Sequence, residues 1–417
     1  MTAPKLRFKE FDKDWNTVNL KNCIESIDSG WSPQCESYPA NSSQWGVLKT
    51  TSVDWSGFQE NANKKLPDHL EPRPEIEVKP YDILVTRAGP TERVGVVSVV
   101  PNNVRKKLLI SDKLIRIKSD KDNDPNFLGI SLSSSKCQNQ LQSKTSGLAK
   151  SQTNISQKIL LDVTLQTPFK AEQTKIATFL SAVDEKISQL SQKLHLLGQY
   201  KQGMMQKLFS QQIRFKAEDG SEFGEWEYYK LGELTTLITK GTTPTSLGGK
   251  FENSGINFIK IESLSSDGKF LLDKFAYIDE VTHNKLARSQ LENEDILFSI
   301  AGALGRVAII SNDYLPANTN QALAIIRLRN KNIIRYIYYF LNSDYVKKII
   351  ETESVQLAQA NFSLGQLSDL DIVLPCIEEQ TKIANFLSTI DQKIDVVSEQ
   401  LEQAKLWKKG LLQQMFV

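Results

Sequence analysis

Residues 168–210 and 375–417 are two copies of one stretch, beginning PFKAEQTKIATFLSAVDEKI and PCIEEQTKIANFLSTIDQKI. They align without a gap 207 positions apart, with 19 of 43 positions identical. A repeat of this length limits the possible folds more than any single motif does. Each copy carries an apolar seam. The first runs Ile176, Leu180, Val183, Ile187, Leu190, Leu194, Leu197, Met204, Leu208, and the second Ile383, Leu387, Ile390, Ile394, Val397, Leu401, Ala404, Leu411, Met415. Steps of four and three alternate, which is a heptad with a and d apolar and predicts a coiled coil. Lys201 and Lys408 interrupt the seams at the same place. Pro168 and Pro375 lie just upstream, and Glu172 and Glu379 in the first turn suit the positive end of a helix dipole.

The flanking sequence repeats more faintly. Trp15, Leu20, Gly30 and Pro33 answer Trp226, Leu231, Gly241 and Pro244. DILVTRAG at Asp82–Gly89 answers DILFSIAG at Asp295–Gly302, and SQTNIS at Ser151–Ser156 answers AQANFS at Ala358–Ser363. The chain therefore reads as a tandem duplication: a globular domain at 1–167, a spacer helix at 168–214, a second domain at 215–374 and a second helix at 375–417. Within the domains, Ile83–Thr86, Val94–Val100, Leu114–Ile117, Phe258–Ile261, Ile296–Ser299, Val307–Ile310 and Ala324–Leu328 have strand patterns. Pro125–Leu132 and Ile334–Leu341 suit short helices. The expected fold class is α/β: two globular domains, each a twisted sheet with helices, separated by the two long helices.

The order of the parts carries a geometric expectation. For the second helix to lay its seam on the first it must run back, so the pair is antiparallel and the molecule pseudo-twofold. At ~1.5 Å per residue, forty helical residues make a rod of roughly 60 Å.

Composition narrows the chemistry. At 417 residues, 40% hydrophobic and 24% charged, the chain has the make-up of a globular protein of two or three domains. No apolar run reaches the roughly 18 residues of a membrane span, and MTAPKLRFKEF has no signal-peptide core. Four scattered cysteines without a CxxC pair point to a reducing, cytoplasmic setting. Three histidines (His69, His195, His283) lack partners at metal-ligand spacing, and neither GxxxxGK[ST] nor GxGxxG occurs. No Pro-Pro is present for an aminomethyltransferase motif. Pro67-Asp68, Glu77 and Lys79 resemble the PD…ExK pattern of metal-dependent nucleases. The intervening segment is broken by proline, where that site wants a strand hairpin, and the second half has no counterpart. No catalytic residue and no metal site is assigned.

Binding to double-stranded DNA fits better. A net charge of +2 means that any such surface must come from local clustering. Candidate contacts on loops near strand ends are Arg87, Arg93, Arg105, Lys106, Lys107 and Lys113 in the first domain. In the second they are Lys240, Thr242, Thr243, Arg306, Asn320 and Gln321. Lys and Arg neutralise phosphates, Arg takes guanine bidentately, and Asn or Gln takes adenine.

The doubled EQTKIA (Glu172–Ala177, Glu379–Ala384), each followed by FLS, an Asp and a Lys-Ile pair, carries a resemblance along the whole chain. With KGTTP at Lys240–Pro244, DILFSIAG and NQALAIIRL at Asn320–Leu328, the sequence resembles the specificity subunit of Type I restriction-modification systems. The first domain departs from the pattern, with GWSP at Gly30–Pro33 and SDKLIRI at Ser111–Ile117. The resemblance implies two target recognition domains, each reading half of a split DNA sequence. It also implies two methyltransferase subunits docked on the domains and helices, and motor-nuclease subunits joining them. S-adenosylmethionine, ATP and Mg²⁺ would belong to those partners, and none to this chain. Readers on a rod engage successive groove faces when half-sites lie ~10 bp apart. Half-sites of about 3–5 bp then leave a gap of roughly 5–8 bp. Two alternatives make different demands. A protein-binding coiled-coil scaffold shows no salt-dependent DNA affinity, and a DNA-cutting enzyme needs a catalytic module.

Overall fold

The computed structural model describes residues 4–144, 146–149, 152–354 and 361–416. The chain divides into two compact units, Met1–Leu190 with Gln400–Val417, and Ser191–Glu399. The division cuts through both long helices, Lys170–Phe209 and Ile377–Met415.

In the first unit a four-stranded antiparallel sheet has the order Ile24–Ser29, Leu114–Ser119, Ile83–Thr86, Val97–Val99. Side chains alternate across a strand, and here both faces are covered. Ile83, Val85, Ile115 and Ile117 join a core with Trp15, Phe127 and Leu128, while Leu84 and Leu114 join another with Leu48, Val53 and Leu108. That double burial explains why these strands read as continuous apolar runs. The predicted strand at Val94–Val100 is cut to Val97–Val99, because a 3-10 turn at Thr91–Arg93 and a positive φ at Gly95 precede it. A smaller sheet places Gly46–Leu48 between Leu108–Leu109 (parallel) and Asn63–Lys65 (antiparallel).

The second unit repeats this plan. Its main sheet runs Thr235–Lys240, Leu323–Leu328, Ile296–Ser299, Val307–Ile309. Its smaller one places Ile256–Ile259 between Ala276–Ile278 (antiparallel) and Ala317–Thr319 (parallel). Ile261, expected to end the strand, instead opens a 3-10 turn. The short helices fall at Pro125–Ser133 and Ile334–Leu341, as their patterns predict. In each unit a two-stranded ladder, Asn16–Asn19 with Thr164–Thr167 and Glu227–Lys230 with Asp371–Leu374, leads into a long helix.

Each unit's core contains the start of one long helix and the end of the other. Ile176, Leu180 and Val183 bury beside Leu411 and Met415 in the first unit. In the second, Ile383, Leu387 and Ile390 bury in the same core as Met205 and Leu208. Antiparallel pairing follows within each unit. Trp15 meets Glu172 at the start of one helix and Phe416 just past the end of the other, its ring 6.4 Å from that of Phe416. Further along, Asp184 pairs with Lys408. In the second unit Trp226 meets Glu379, Phe209 packs at 5.7 Å on Tyr336, and Asp391 pairs with Lys201 at 2.5 Å. The seam holds at Leu190, Val397 and Leu401, whereas Ile187, Leu194 and Ile394 are only half-buried. After Lys201 the more deeply buried side chain is Met205 rather than Met204.

Candidate nucleic-acid interface

The loop after the first strand of each main sheet crosses the loop before the sheet's second strand in sheet order. Gly241 donates its N–H to Leu323 at 3.3 Å, and Thr242 donates to the Thr319 carbonyl at 3.1 Å. Gly30 donates to Ser111 at 3.2 Å and Trp31 to Ile110 at 3.1 Å. Any Cβ at Gly30 or Gly241 would overlap the facing carbonyl of Ile110 or Thr319, which is why glycine stands at both crossings. Side chains tie the loops further. Thr243 donates to the Gln321 side-chain oxygen, and Ser32 shares hydrogen bonds with the carboxylate and N–H of Asp112. The GWSP and SDK segments, which depart from KGTTP and NQ in sequence, thus occupy the corresponding place.

Four of the six residues predicted in the second unit, Thr242, Thr243, Asn320 and Gln321, are gathered at this crossing, and the exposed Lys240 adjoins them. Asn320 accepts from the Ala322 N–H at 3.2 Å, so its side chain helps shape the loop. Arg306 lies elsewhere: its guanidinium donates to the Ile261 and Leu264 carbonyls.

In the first unit Lys113 adjoins the crossing, and the Arg87 N–H donates to the Lys113 carbonyl at 2.8 Å, leaving the Arg87 side chain exposed. Arg93 is held by Asp54 at 2.6 Å and by the Val53 carbonyl at 2.8 Å. That bond, with two from Ser56, lowers the Asp54 carboxyl to about 2. Arg105 donates to the Gln44, Lys106 and Ala40 carbonyls, and Lys107 to the Ser43 carbonyl at 2.8 Å. Lys106 alone of that basic run is exposed. The structure therefore gives Arg93, Arg105 and Arg306 internal work, and leaves Lys106, Arg87, Lys113, Lys240 and Gln321 exposed, with Thr242, Thr243 and Asn320 half-buried.

The nuclease-like residues are dispersed among separate ion pairs. Asp68 is exposed and bound to Lys65, while Glu77 is bound to Lys79 and to the Lys107 N–H. Among the described residues no three His, Cys, Asp or Glu side chains gather as a metal site would require. Ser151 and Ala358–Ala360 of the SQTNIS and AQANFS segments lie outside the described residues. Their remainders do the same thing in both units: Ile155 donates to Arg87 and Phe362 to Ile300, pinning the end of the DIL strand.

Sequence reasoning missed what the Glu and Gln of EQTKIA do. Glu172 is buried and takes bonds from Arg7 at 2.7 and 2.8 Å and from the Trp15 indole at 3.3 Å. Glu379 takes the same from Arg214 at 3.1 and 2.7 Å and from Trp226 at 3.0 Å. Gln173 and Gln380 donate to the Pro168 and Pro375 carbonyls. The readable signal was the pairing of Arg7, Trp15 and Glu172 with Arg214, Trp226 and Glu379 across the repeat. Two more arginines reach the loop crossings without having been expected there. Arg288 donates to Thr242 Oγ1 at 3.0 Å, and Arg73 lies 4.1 Å from the Trp31 ring centroid.

With this geometry in hand, the comparisons are specific. Residues 13–197 and 224–406 each match the family described as Type I restriction modification DNA specificity domain. The EcoEI specificity subunit of Escherichia coli is 39% identical over 182 residues, 43% of this chain and 30% of that relative. A putative MjaX specificity subunit of Methanocaldococcus jannaschii is 26% identical over 421 residues, 98% of this chain and 94% of the relative. The S subunit of a Type I system from M. genitalium superposes with a TM-score of 0.64 at 16% identity, covering 100% of this chain and 99% of that one. This last likeness is one of fold.

Proposed function

The chain belongs to the Type I restriction modification DNA specificity family, and from that premise we propose that it is the non-catalytic reading subunit of a Type I assembly. Each unit reads one half of a split, asymmetric DNA target, and the long helices set the spacing and dock two methyltransferase subunits. Motor-nuclease subunits complete the restricting form. S-adenosylmethionine, ATP and Mg²⁺ are held by those partners, and adenine is flipped into the methyltransferase's pocket.

One observation carries this reading. The same loop crossing recurs in both units, yet presents Trp31, Ser32 and Asp112 in one and Thr242, Thr243 and Gln321 in the other. A shared frame with different exposed chemistry is what two readers of unlike half-sites require. Of the predicted contacts, we assign Arg87, Lys106, Lys113, Lys240, Thr242, Thr243, Asn320 and Gln321 to the duplex, a reading supported by the exposure of Arg87, Lys106, Lys113, Lys240 and Gln321. Arg93, Arg105, Lys107 and Arg306 serve instead to hold neighbouring loops of their own units, through Asp54 and the carbonyls of Val53, Gln44, Ser43, Ile261 and Leu264.

The test is to co-express the chain with its cognate methyltransferase and map methylated adenines on genomic DNA by single-molecule sequencing. A bipartite asymmetric motif with a fixed gap is expected, and exchanging residues 215–374 should change one half only. A continuous or palindromic motif, or no methylation from an active partner, would remove the two-reader reading and favour the scaffold.

A further inference from the structure

Seven of the twelve arginines in this chain are already held by internal partners. Arg7, Arg93, Arg116, Arg214 and Arg327 are paired with carboxylates, and Arg105 and Arg306 are spent on backbone carbonyls. Among the described residues the other five, Arg73, Arg87, Arg288, Arg329 and Arg335, form no ion pair and are exposed, and of these Arg73 and Arg288 are the two whose side chains meet a loop crossing. They sit in matched turns, two places apart in register. Each belongs to the 3-10 turn that precedes the DIL strand, Pro74–Ile76 with Arg73 as its N-cap, and Ala287–Ser289 with Arg288 inside it. Each turn is followed by an equivalent bridge, Glu77 to Leu109 and Gln290 to Asn318. Each arginine is anchored on the residue that follows the crossing glycine: Arg73 over the Trp31 ring, Arg288 on the Thr242 hydroxyl.

Resting on the DNA-reading function proposed above, we infer that Arg73 and Arg288 are an equivalent pair of base-reading residues, one in each unit, each taking a guanine edge in the major groove. The chemistry favours a base over a phosphate. A guanidinium reads guanine O6 and N7 through two parallel N–H groups, so its plane must be held before the duplex arrives. The anchors supply that hold. Trp31 packs on the core of the smaller sheet, with Val47, Leu66 and Leu109. Thr242 is fixed through its own N–H on Thr319. A lysine that meets phosphate alone needs no such support. Ordering a free arginine on binding also costs affinity that a buttressed one has already offset.

The experiment uses the full chain in complex with its methyltransferase, carrying Arg288→Ala, Arg288→Lys, Arg73→Ala or Arg73→Lys. Each complex is titrated against the parental duplex target and a panel with single base-pair changes, at several salt concentrations. Discrimination at one G·C position in the half read by the second unit should fall about tenfold or more in both Arg288 variants. The other half should be unaffected, and the Arg73 variants should give the mirror result. Lysine does not restore discrimination in full, because its flexible ammonium lacks the planar fork that Trp31 and Thr242 hold in place. The inference is overturned if alanine weakens all duplexes equally and lysine rescues, which marks a phosphate contact, or if the alanine variants discriminate as the parent does. Failure of the functional reading looks different: the parental complex itself would then show no split target.

Discussion

Glu379 has no measurable exposure, and its carboxylate accepts from Arg214 and the Trp226 indole. Replacing it with alanine leaves the buried Trp226 indole N–H without its acceptor and the half-buried Arg214 guanidinium with only the Gly224 carbonyl, a loss of about 1–3 kcal/mol. Urea unfolding of the second unit, followed by Trp226 fluorescence, should show it, with Glu379→Gln milder because it keeps an acceptor. The equivalent change at Glu172 should weaken the first unit in the same way. A second prediction concerns acid. The folded Asp54 carboxyl is depressed to about 2 from an ordinary value of 3.8, chiefly by its hydrogen bond from Arg93. A depressed carboxylate contributes stability that is full above pH ~4 and is lost as pH falls through 2. Asp54→Asn should therefore be less stable than the parent at pH 7, with the gap closing between pH 4 and 2 in thermal unfolding. Asp54 is partly exposed, so solvent screening keeps the gap small.

The interruptions of the seam have a reason at the level of the helix. Lys201 reaches Asp391, which also accepts from the Tyr339 hydroxyl at 2.7 Å, and Lys408 reaches Asp184. The four residues are related by the repeat, so one polar step recurs in both units. Polar residues at a seam select register at some cost in stability. A double-mutant cycle on Lys201 and Asp391 should give a coupling of about 0.5–1 kcal/mol, the range for partly exposed pairs. Exchanging the two charges should recover most of what either reversal loses. The crossing loops give a sharper test. Gly241→Ala must push the KGTTP loop away from the Thr319 carbonyl, so DNA affinity through the second half should fall while the fold survives. Circular dichroism and salt-controlled binding separate the two effects.

On the scale of the whole molecule, each unit is completed by helix residues far away in sequence. Leu411 and Met415 lie in the core of Trp15, Ile176 and Val183, and Phe416 stacks on Phe127 at 5.5 Å. Removing residues 400–417 should therefore raise hydrogen exchange at Ile176–Val183 and Pro125–Ser133 well before it affects the second unit's sheet. Equal loosening in both units would show that the tail is not part of the first unit's core. Much of the architecture was legible beforehand. Ile83–Thr86, Ile296–Ser299 and Ile334–Leu341 lie where their patterns put them, because periodicity and burial on one or two faces are written locally. The candidate site was less legible. Thr242, Thr243, Asn320 and Gln321 come together as expected, yet Arg93 and Arg105 are drawn to partners 39–65 residues away.

By itself the sequence determined the duplication, the seams and the alternating strands, since each depends on spacing along the chain. Only the tertiary structure decided which charges remain for an outside partner. A guanidinium looks the same in sequence whether it is consumed by a distant carbonyl, as in Arg306, or held open over an aromatic ring, as in Arg73. That difference is set by which loops the sheets bring together, and no local pattern encodes it.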